Sequence, residues 1–397
     1  MISDNKTQHL GTIYRLVEQF ELISRTDLAK LSGLAPASIT NLTKSLIDNK
    51  FILERTVQNN TSRGRPAVGL AVSNFFWQLL CFTLSPDNVE ISLCELNGKP
   101  IQTKHYPLSI EDYPRIDSYL QTCLDDLFWH SPMEANRILA ASISVVGQIN
   151  AEHSKITRLG DTPLECSFVE ALKTQFDCPI LLNEHFQLWL LTESTLGSLI
   201  NNDNVIFLQL DEAVNLSVLL RGNLLHQQSK MNVDKMLMPK FSPLSDIAAP
   251  SDCDEIQRYQ LNHQVTFPAI IRLVDRYLPN AFTQHNEKIQ YLCEQIEQQN
   301  EAALMILEHI SDNLAYVLMN LINIFSTEKI MLNSPLLRIK HILFEQIQQK
   351  LQNELLIGNH QVDLVTSQFE WNSPLIACSA IKQGIYEGNL IKDIIQL

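Results

Sequence analysis

A repeated order of predicted elements after residue 75 constrains the fold of this chain more than any other sequence feature. Three β-rich runs, a helical run and then alternating strands and helices occupy residues 79–199, and the same order returns over residues 205–386. Short apolar runs that alternate with longer runs of helical periodicity are typical of α/β domains. We therefore predict two α/β lobes, and a cleft between two such lobes usually binds a small molecule.

The individual elements follow from hydrophobic periodicity and from β-branched and aromatic content. In the first lobe we predict strands at 79–84, 89–95, 101–106, 137–146 and 179–182, and helices at 111–129, 168–176 and 184–199. The stretch between 146 and 168 is expected to be irregular. In the second lobe we predict strands at 205–210, 214–221, near Leu224, 329–332 and 362–366, a helical region at 267–325, and helices at 336–351 and 374–386.

The composition of the chain excludes several classes of protein. Its 397 residues are too many for one ordinary core, and a content of 45% hydrophobic and 19% charged residues argues against disorder. The eight cysteines form no Cys-x-x-Cys pair and indicate neither a disulfide framework nor a zinc knuckle. The N-terminus lacks the pattern of a signal peptide, and the longest apolar stretch, Leu314–Phe325, is too short to span a bilayer. We expect a soluble, cytoplasmic protein.

The first 50 residues carry the spacing of a helix-turn-helix. Apolar residues at helical spacing predict a first helix near 6–20. Ser24 is a suitable N-cap for a short second helix, which Gly33 can end with a positive φ. Pro36 suits the first turn of a third helix that extends to about Asn49. Helix, short turn and helix in this order can place a recognition helix in the major groove of DNA.

The outward face of the third helix supplies the predicted DNA contacts. Its first turns offer small, hydroxyl and amide side chains that can approach base edges, followed by a lysine that can reach a phosphate. Together with the start of the second helix, the predicted DNA-contacting residues of this region are Ser24, Arg25, Pro36, Ala37, Ser38, Thr40, Asn41 and Lys44.

A predicted β-hairpin, or wing, follows the third helix. Two β-like runs at 51–56 and 67–72 flank a polar tip that contains Arg63, Gly64 and Arg65. Two guanidinium groups around a glycine can enter a narrow A·T-rich minor groove, where the negative potential is strongest. A solvated turn with two surface arginines is the alternative. The position directly after a helix-turn-helix favours DNA contact by these three residues.

Charge is distributed unevenly along the chain. Residues 1–72 contain nine Lys and Arg against six Asp and Glu, a net charge of +3, whereas the whole chain carries −14. A basic head on an acidic body suits a protein whose head alone meets phosphates. A net charge of +3 over 72 residues is a modest excess. Taken alone, this charge is explained equally well by chance and by DNA binding.

Several stretches resemble the ROK family of repressors and sugar kinases, and the resemblance runs nearly end to end. The stretches that carry it are Tyr14-Arg-Leu, Ser24-Arg-Thr-Asp-Leu, Leu34-Ala-Pro-Ala-Ser-Ile-Thr, Arg63-Gly-Arg-Pro-Ala-Val-Gly-Leu and Lys329-Ile-Met-Leu-Asn-Ser-Pro-Leu. The stretch from Leu34 followed by that from Arg63 is the most specific part. The resemblance implies a winged helix-turn-helix followed by the two-lobed, actin-like, ribonuclease-H-like ATPase fold of the sugar kinases.

The resemblance also implies partners. Repressors of the family bind palindromic double-stranded DNA operators of sugar-uptake genes as homodimers or as dimers of dimers, which are homotetramers. A membrane protein of the sugar phosphotransferase system sequesters some of them, and a sugar or sugar phosphate is the expected class of effector. Asn41 stands where repressors of the family carry a lysine, which argues against an identical operator preference.

The body lacks residues that phosphoryl transfer needs. Sugar kinases of the family use glycine-rich loops, because glycine lets backbone N–H groups approach phosphates closely. Here the first loop is Leu84-Ser-Pro-Asp, which has no glycine and contains a proline without an N–H. In the second loop Asn215 and Ser217 stand where glycines are expected, and Gly222 is the one glycine between residues 200 and 357. We expect no ATP binding and no cofactor.

The sugar, zinc and catalytic motifs of the family are also incomplete. The sugar motif retains only Asp234 and has lost its histidine, and the zinc motif supplies only Cys253. At the position of the catalytic aspartate the chain has Asn183-Glu184, and the longer arm of Glu184 displaces the carboxylate, so that an acid favoured by a helix dipole is the simpler explanation. We expect no catalytic residue and no metal. The candidates for an effector pocket are Gly147, in an expected turn, and Asn183, Glu184, Asp211 and Asp234.

We predict three domains: a winged helix-turn-helix at 1–72, a first α/β lobe at 76–200 joined by the C-terminal helix at 374–397, and a second lobe with the dimerisation region at 201–373. The leading hypothesis is a DNA-binding transcriptional regulator, most simply a repressor, of carbohydrate uptake or metabolism genes without kinase activity. A sugar-responsive regulator with a remodelled pocket and an active sugar kinase with a DNA-binding appendage are the alternatives.

Overall fold

Two units make up the chain: residues 1–192 together with 371–397, and residues 193–370. The structure, a computed structural model, describes residues 2–56, 68–129, 135–200, 202–225, 233–352 and 362–395. Each unit contains its own five-stranded sheet.

The first unit begins with the winged helix-turn-helix. Its elements are α1 (Ile2–Gln19), α2 (Arg25–Ser32), α3 (Pro36–Asp48) and the antiparallel hairpin of β1 (Ile52–Thr56) and β2 (Val68–Val72). The Ser24 hydroxyl accepts a hydrogen bond from the Asp27 amide, and Gly33 ends α2 at a φ of 70°, as the sequence predicts. The wing tip with Arg63, Gly64 and Arg65 lies outside the described residues.

A five-stranded mixed sheet forms the body of the first unit. The strands that follow the wing are, in chain order, β3 (Gln78–Leu84), β4 (Asn88–Glu95), β5 (Pro100–Pro107), β6 (Ile138–Val145), β7 (Gly147–Ile149), β8 (Ile156–Leu159), β9 (Thr162–Cys166) and β10 (Ile180–Glu184). The main sheet has the order β10-β6-β3-β4-β5. In it β3, β4 and β5 form an antiparallel meander, and β6 and β10 extend the sheet in parallel.

The segment between β6 and β10 differs from the prediction. The stretch expected to be irregular contains the three-stranded antiparallel sheet β7-β8-β9, followed by α5 (Phe168–Gln175). Its strands are only three to five residues long and mix buried with exposed positions, which leaves no clear period in the sequence. Between β5 and β6, the helix α4 (Ile116–Trp129) begins five residues later than predicted, because a 3₁₀ turn at 113–115 precedes it.

The second unit repeats the topology of the first. Its strands are β11 (Val205–Leu210), β12 (Val214–Leu220), β13 (Asn223–Leu224), β14 (Lys329–Asn333) and β15 (Asp363–Val365), in the order β13-β12-β11-β14-β15. Again three antiparallel strands are extended by two parallel ones. The same order and directions in both sheets confirm the predicted duplicated α/β fold.

The helices of the second unit are more finely divided than predicted. After α6 (His185–Leu196), which contains the unit boundary, they are α7 (Leu244–Ala248), α8 (Asn262–Val265), α9 (Phe267–Tyr277), α10 (His285–Glu297), α11 (Glu301–Phe325) and α12 (Lys340–Lys350). The continuous helical region predicted at 267–325 is broken twice. Pro279 cannot continue α9, and Gln299 adopts a φ of 60° before Asn300 caps α11.

The longest helix, α11, corrects one expectation about the bilayer. The sequence suggests an apolar stretch of 314–325, but the helix has 25 residues and is long and apolar enough to cross a membrane by length and composition. Leu307, Leu314 and Leu318 on this helix are fully buried in the apolar core of the second unit. Burial of this kind is typical of the core helix of a folded domain.

The first helix packs against the last two, α13 (Pro374–Tyr386) and α14 (Asn389–Ile395). Their apolar side chains belong to one buried cluster, which contains Leu10, Ile13, Tyr14, Val17, Ile381, Ile385, Leu390 and Ile391. Gly11 permits the close approach, because a Cβ at that position would overlap the carbonyl oxygen of Tyr386. The winged helix-turn-helix therefore shares a core with the C-terminal helices, in one unit with the first α/β lobe.

A buried ion pair lies in the same joint. The Lys382 ammonium and the Tyr386 hydroxyl both donate to the carboxylate of Glu18. The side chain of Lys382 is 1% exposed and that of Glu18 is 14% exposed. A buried charge without its partner raises the free energy of the folded state. The pair therefore favours the packing arrangement of α1 on α13 in which the two charges are in contact.

We predict that Gly11→Ala lowers the free energy of unfolding by about 1 to 3 kcal/mol, the usual cost of overpacking, because the added methyl group must separate α1 from α13. Chemical denaturation followed by circular dichroism measures the change. The control is Gln8→Ala, at an exposed position of the same helix. Equal stability of the two variants would contradict the packing of α1 on Tyr386.

Candidate nucleic-acid interface

The third helix, α3, divides cleanly into a core face and a solvent face. Ile39, Leu42 and Leu46 are buried against the other helices. All of the residues that the sequence predicts for DNA contact on this helix are exposed, namely Pro36, Ala37, Ser38, Thr40, Asn41 and Lys44. The packing of the helix therefore leaves this set of side chains available to a partner.

The hydroxyl and amide groups of this face differ in their internal bonds. Thr40 donates its hydroxyl hydrogen to the carbonyl oxygen of Pro36 at 2.9 Å, which leaves the oxygen as an acceptor. Ser38 and Asn41, which are three residues apart and therefore neighbours on the helix surface, are also exposed. A helix face of this kind, with short polar groups in its first turns, can approach base edges in a major groove.

Two predicted contact residues, Ser24 and Arg25, have partners inside the protein. The Ser24 hydroxyl donates to the Asp27 carboxylate at 2.7 Å while it caps α2. The Arg25 guanidinium donates to the Thr43 hydroxyl at 3.1 Å and to the Glu54 carboxylate at 2.7 Å. Arg25 thus joins α2, α3 and β1, a positioning role that the sequence does not reveal.

A shallow depression of about 480 Å³ adjoins the solvent face of α3. Its charged lining consists of Arg25, Lys44, Lys50 and Glu54. Lys50 is exposed and follows α3 at a φ of 64°, in the turn that leads to β1. Sequence reasoning missed Lys50, although a lysine directly after a recognition helix is a usable signal. Three cations against one acid make this depression attractive to a phosphate.

The effector candidates of the first unit lie at the carboxyl ends of neighbouring strands. Gly147 opens β7 instead of forming the expected turn, and a Cβ there would overlap the carbonyl oxygen of Arg158. Asn183 and Glu184 are the last two residues of β10, so that Glu184 ends a strand and does not open a helix as expected. They pair in register with the end of β6.

His185 is a buried group beside these candidates that sequence reasoning missed. Its Nδ1 atom lies 2.8 Å from the Ser144 hydroxyl, and its Nε2 atom lies 2.6 Å from the carbonyl oxygen of Trp371. Burial lowers the pKa of His185 to about 4, which keeps the imidazole neutral. A neutral ring that donates to Trp371 and accepts from Ser144 satisfies both nitrogens.

The two effector candidates of the second unit are not brought together in one pocket. Asp211 follows β11 and lines a depression of about 450 Å³, together with Asn286, Gln290, Asn333 and Arg338. Asp234 accepts a hydrogen bond from the Val214 amide at 3.0 Å and is not among the residues that line the depression.

Internal hydrogen bonds hold the loop after β3, which the family resemblance suggests as the first phosphate loop. After β3, the Ser85 amide donates to the carbonyl oxygen of Asn88 at 2.9 Å, and the Ser85 hydroxyl donates to the Asp87 carboxylate at 2.9 Å.

Cys253, the one cysteine of the expected zinc motif, lies 3.6 Å from Nε2 of His263. Among the described residues, no third His, Cys, Asp or Glu joins this pair closely enough to hold a metal ion.

Comparison with known proteins places these features in context. Residues 262–384 match the ROK family. The chain is 23% identical to the DNA-binding transcriptional repressor Mlc of Escherichia coli, with 100% of both chains covered. It is 20% identical to the DNA-binding transcriptional dual regulator NagC of the same organism, with 98% of this chain and 96% of NagC covered.

Solved structures show the same fold. The crystal structure of a ROK family transcriptional regulator, a homologue of the E. coli Mlc protein, has a TM-score of 0.81 at 24% identity and covers 99% of this chain and 100% of its own. A ROK family glucokinase from Streptomyces griseus, in complex with glucose and AMPPNP, has a TM-score of 0.54 at 11% identity and covers 77% of this chain and 98% of its own. The body therefore has the sugar-kinase fold.

Replacement of Arg25 should weaken the packing of the helix-turn-helix. We expect Arg25→Met to lower the free energy of unfolding by about 1 kcal/mol, because the bonds to Thr43 and Glu54 are lost while the length of the side chain is kept. Thermal denaturation measures the change. Lys30→Met is the matched control, since the paired side chains of Lys30 and Asp27 are 73% and 55% exposed. A larger loss in the control would refute the positioning role of Arg25.

Proposed function

We propose that this chain, which carries a ROK family domain at residues 262–384, is a DNA-binding transcriptional repressor of genes for carbohydrate uptake or metabolism. The observation that carries the proposal is the solvent face of α3, whose exposed side chains take no part in the core of a winged helix-turn-helix. The end-to-end likeness to Mlc and NagC, both DNA-binding regulators by name, supports the same function.

The residues of the interface divide the work of DNA binding. Ser38, Thr40 and Asn41 face the base edges of a major groove, where an amide can bond adenine in a bidentate manner. Lys44 and Lys50 meet the phosphates that flank the groove and fix the register of the helix without reading sequence. The wing carries Arg63 and Arg65 into the adjacent minor groove.

The partners follow from this geometry and from the family resemblance. A second copy of the chain would place two recognition helices about 34 Å apart, one helical turn of DNA. The proposal therefore includes a homodimer or homotetramer on a palindromic operator, in the cytoplasm. It also includes sequestration of the repressor by a membrane protein of the sugar phosphotransferase system.

The body is proposed to have no kinase activity. Backbone N–H groups must point at phosphates in the first loop of an active kinase. In this chain the Ser85 amide bonds Asn88, and Pro86 has no amide hydrogen to offer.

A sugar-responsive regulator is the second candidate, and one observation favours it. The depression beside Asp211 has polar and charged groups on several sides, with Asn333 and Arg338 among them. Convergent hydrogen-bonding groups of this kind suit a sugar or a sugar phosphate. An effector of this class would act on the same repressor and does not compete with the assignment of DNA binding.

The wing is tested by Arg63→Ala combined with Arg65→Ala. We expect operator affinity to fall by at least about 1 kcal/mol, or about fivefold, and the salt dependence of binding to become shallower, because cations are removed from the phosphates. Fluorescence anisotropy at several salt concentrations measures both quantities. The control combines Lys99→Ala with Arg221→Ala, which removes the same charge from exposed positions of the body. Equal losses in both double variants would leave no specific role for the wing.

Kinase activity is tested by an assay of phosphoryl transfer. A coupled assay with ATP and hexoses or amino sugars should show no turnover, and steady activity near 1 s⁻¹ would instead establish a sugar kinase.

An effector is tested by a thermal shift with glucose, N-acetylglucosamine and its 6-phosphate, since binding to the folded state raises the melting temperature. Arg338→Ala should abolish the shift if the effector occupies the depression beside Asp211.

A further inference from the structure

We propose that Cys81, Cys94 and Cys378 form a binding site for one soft, thiophilic d¹⁰ metal cation, either Cu⁺ or Zn²⁺. The three sulfur atoms all lie within 4.8 Å of one another. The Sγ atoms of Cys81 and Cys378 are 3.3 Å apart. The site involves neither the interface on α3 nor the effector candidates, and it stands independently of the proposed function.

The fold brings these cysteines together from three separate elements. Cys81 lies on β3 and Cys94 on β4, and the pairing of Leu79 with Cys94 places both cysteines on one face of the sheet. Cys378 projects from α13, which packs on that face. Cys81 and Cys94 meet because their strands pair directly, whereas Cys378 lies 297 residues beyond Cys81 along the chain.

The spacing of the sulfurs suits a trigonal site. A cation with metal–sulfur bonds of about 2.3 Å in the plane of three thiolates separates the sulfurs by about 4 Å. The separation of Cys81 and Cys378 is shorter than this value and no separation exceeds 4.8 Å, so that small rotations of the side chains would complete the site. Thiolate ligands select soft cations over Mg²⁺ or Ca²⁺, which prefer oxygen.

The surroundings of the site are dry and carry one nearby positive group. Cys81 is 2% exposed and the other two are fully buried. Lys382 follows Cys378 by one helical turn on α13 and is itself buried. Binding replaces the three thiol protons by the cation and transfers no electron. Three thiolates leave one excess negative charge around Zn²⁺ and two around Cu⁺, and the Lys382 ammonium, which also pairs with Glu18, lies close to this charge.

The site would join α13 to the sheet directly beneath the winged helix-turn-helix. The same helix contacts α1 through Lys382, Ile381 and Ile385. A bound cation would link α13, which packs on the sheet through apolar contacts, to the hydrogen-bonded strands β3 and β4. It would raise the stability of the first unit, since metal binding to the folded state adds to folding free energy.

The test uses the full-length chain, unfolded and refolded without oxygen in a reducing buffer, with Cu⁺, with Zn²⁺ or with no metal. We expect one equivalent of one of these ions by elemental analysis, a thiolate-to-metal charge-transfer band, and a higher melting temperature than for the metal-free protein. The two metal arms identify which ion the site prefers.

Cys378→Ala and Cys94→Ala are the site variants, and Cys293→Ala is the control, because Cys293 is a single buried cysteine of the second unit. The site variants should lose affinity by at least about tenfold, whereas the control should bind like the native chain. Two site variants are used so that one of them still decides the outcome if the other does not fold. No bound metal in the native chain, or unchanged binding in both site variants, would overturn the proposal.

Discussion

An ion pair between Glu18 and Lys382 lies inside the apolar joint between the first helix and the last helices of the chain. Separation of these charges inside the protein costs more free energy than the pair contributes. The pair therefore favours a single packing arrangement of α1 on α13. Leu28 of α2 and Ile39 of α3 belong to the same buried cluster as α1. The direction in which α3 presents its polar face is therefore tied to the position of α13.

The body of the chain has the sugar-kinase fold, and internal hydrogen bonds hold the turn after its first strand, β3. The two sheets have the same strand order. Their central strands, β3 and β11, are buried along almost their whole length, which requires apolar residues at nearly every position. The loops at the ends of those strands are free to change. Ser85 and Pro86 now close a tight turn after β3, and Gly147 remains where the Arg158 carbonyl approaches. Close packing against this carbonyl group requires a glycine at position 147.

The sequence predicted those features that local physics determines. Ser24, Gly33 and Pro36 mark the ends of helices by their own conformational preferences, and the hydrophobic period identifies the core face of α3. The sheets followed from runs of buried strand residues. Gly147 and Glu184 were misassigned at element boundaries, where a difference of one or two residues changes a turn or a helix start into a strand.

Features that depend on distant residues could not be predicted in this way. The link from Arg25 to Glu54 requires the hairpin to fold back on α2, and the docking of α1 requires residues beyond 370. The cysteines at 81, 94 and 378 read as scattered thiols until the sheet and α13 bring them together. The short strands β7 to β9 carry too few residues for a period to be visible.

Hydroxyl-radical footprinting of the full-length protein on promoter DNA beside carbohydrate-uptake genes tests the central claim most directly. We predict two protected half-sites whose centres are separated by a whole number of helical turns, with additional protection of an A·T-rich minor groove next to each. Protection at every sequence alike, or at none, would contradict the claim that the solvent face of α3 reads an operator.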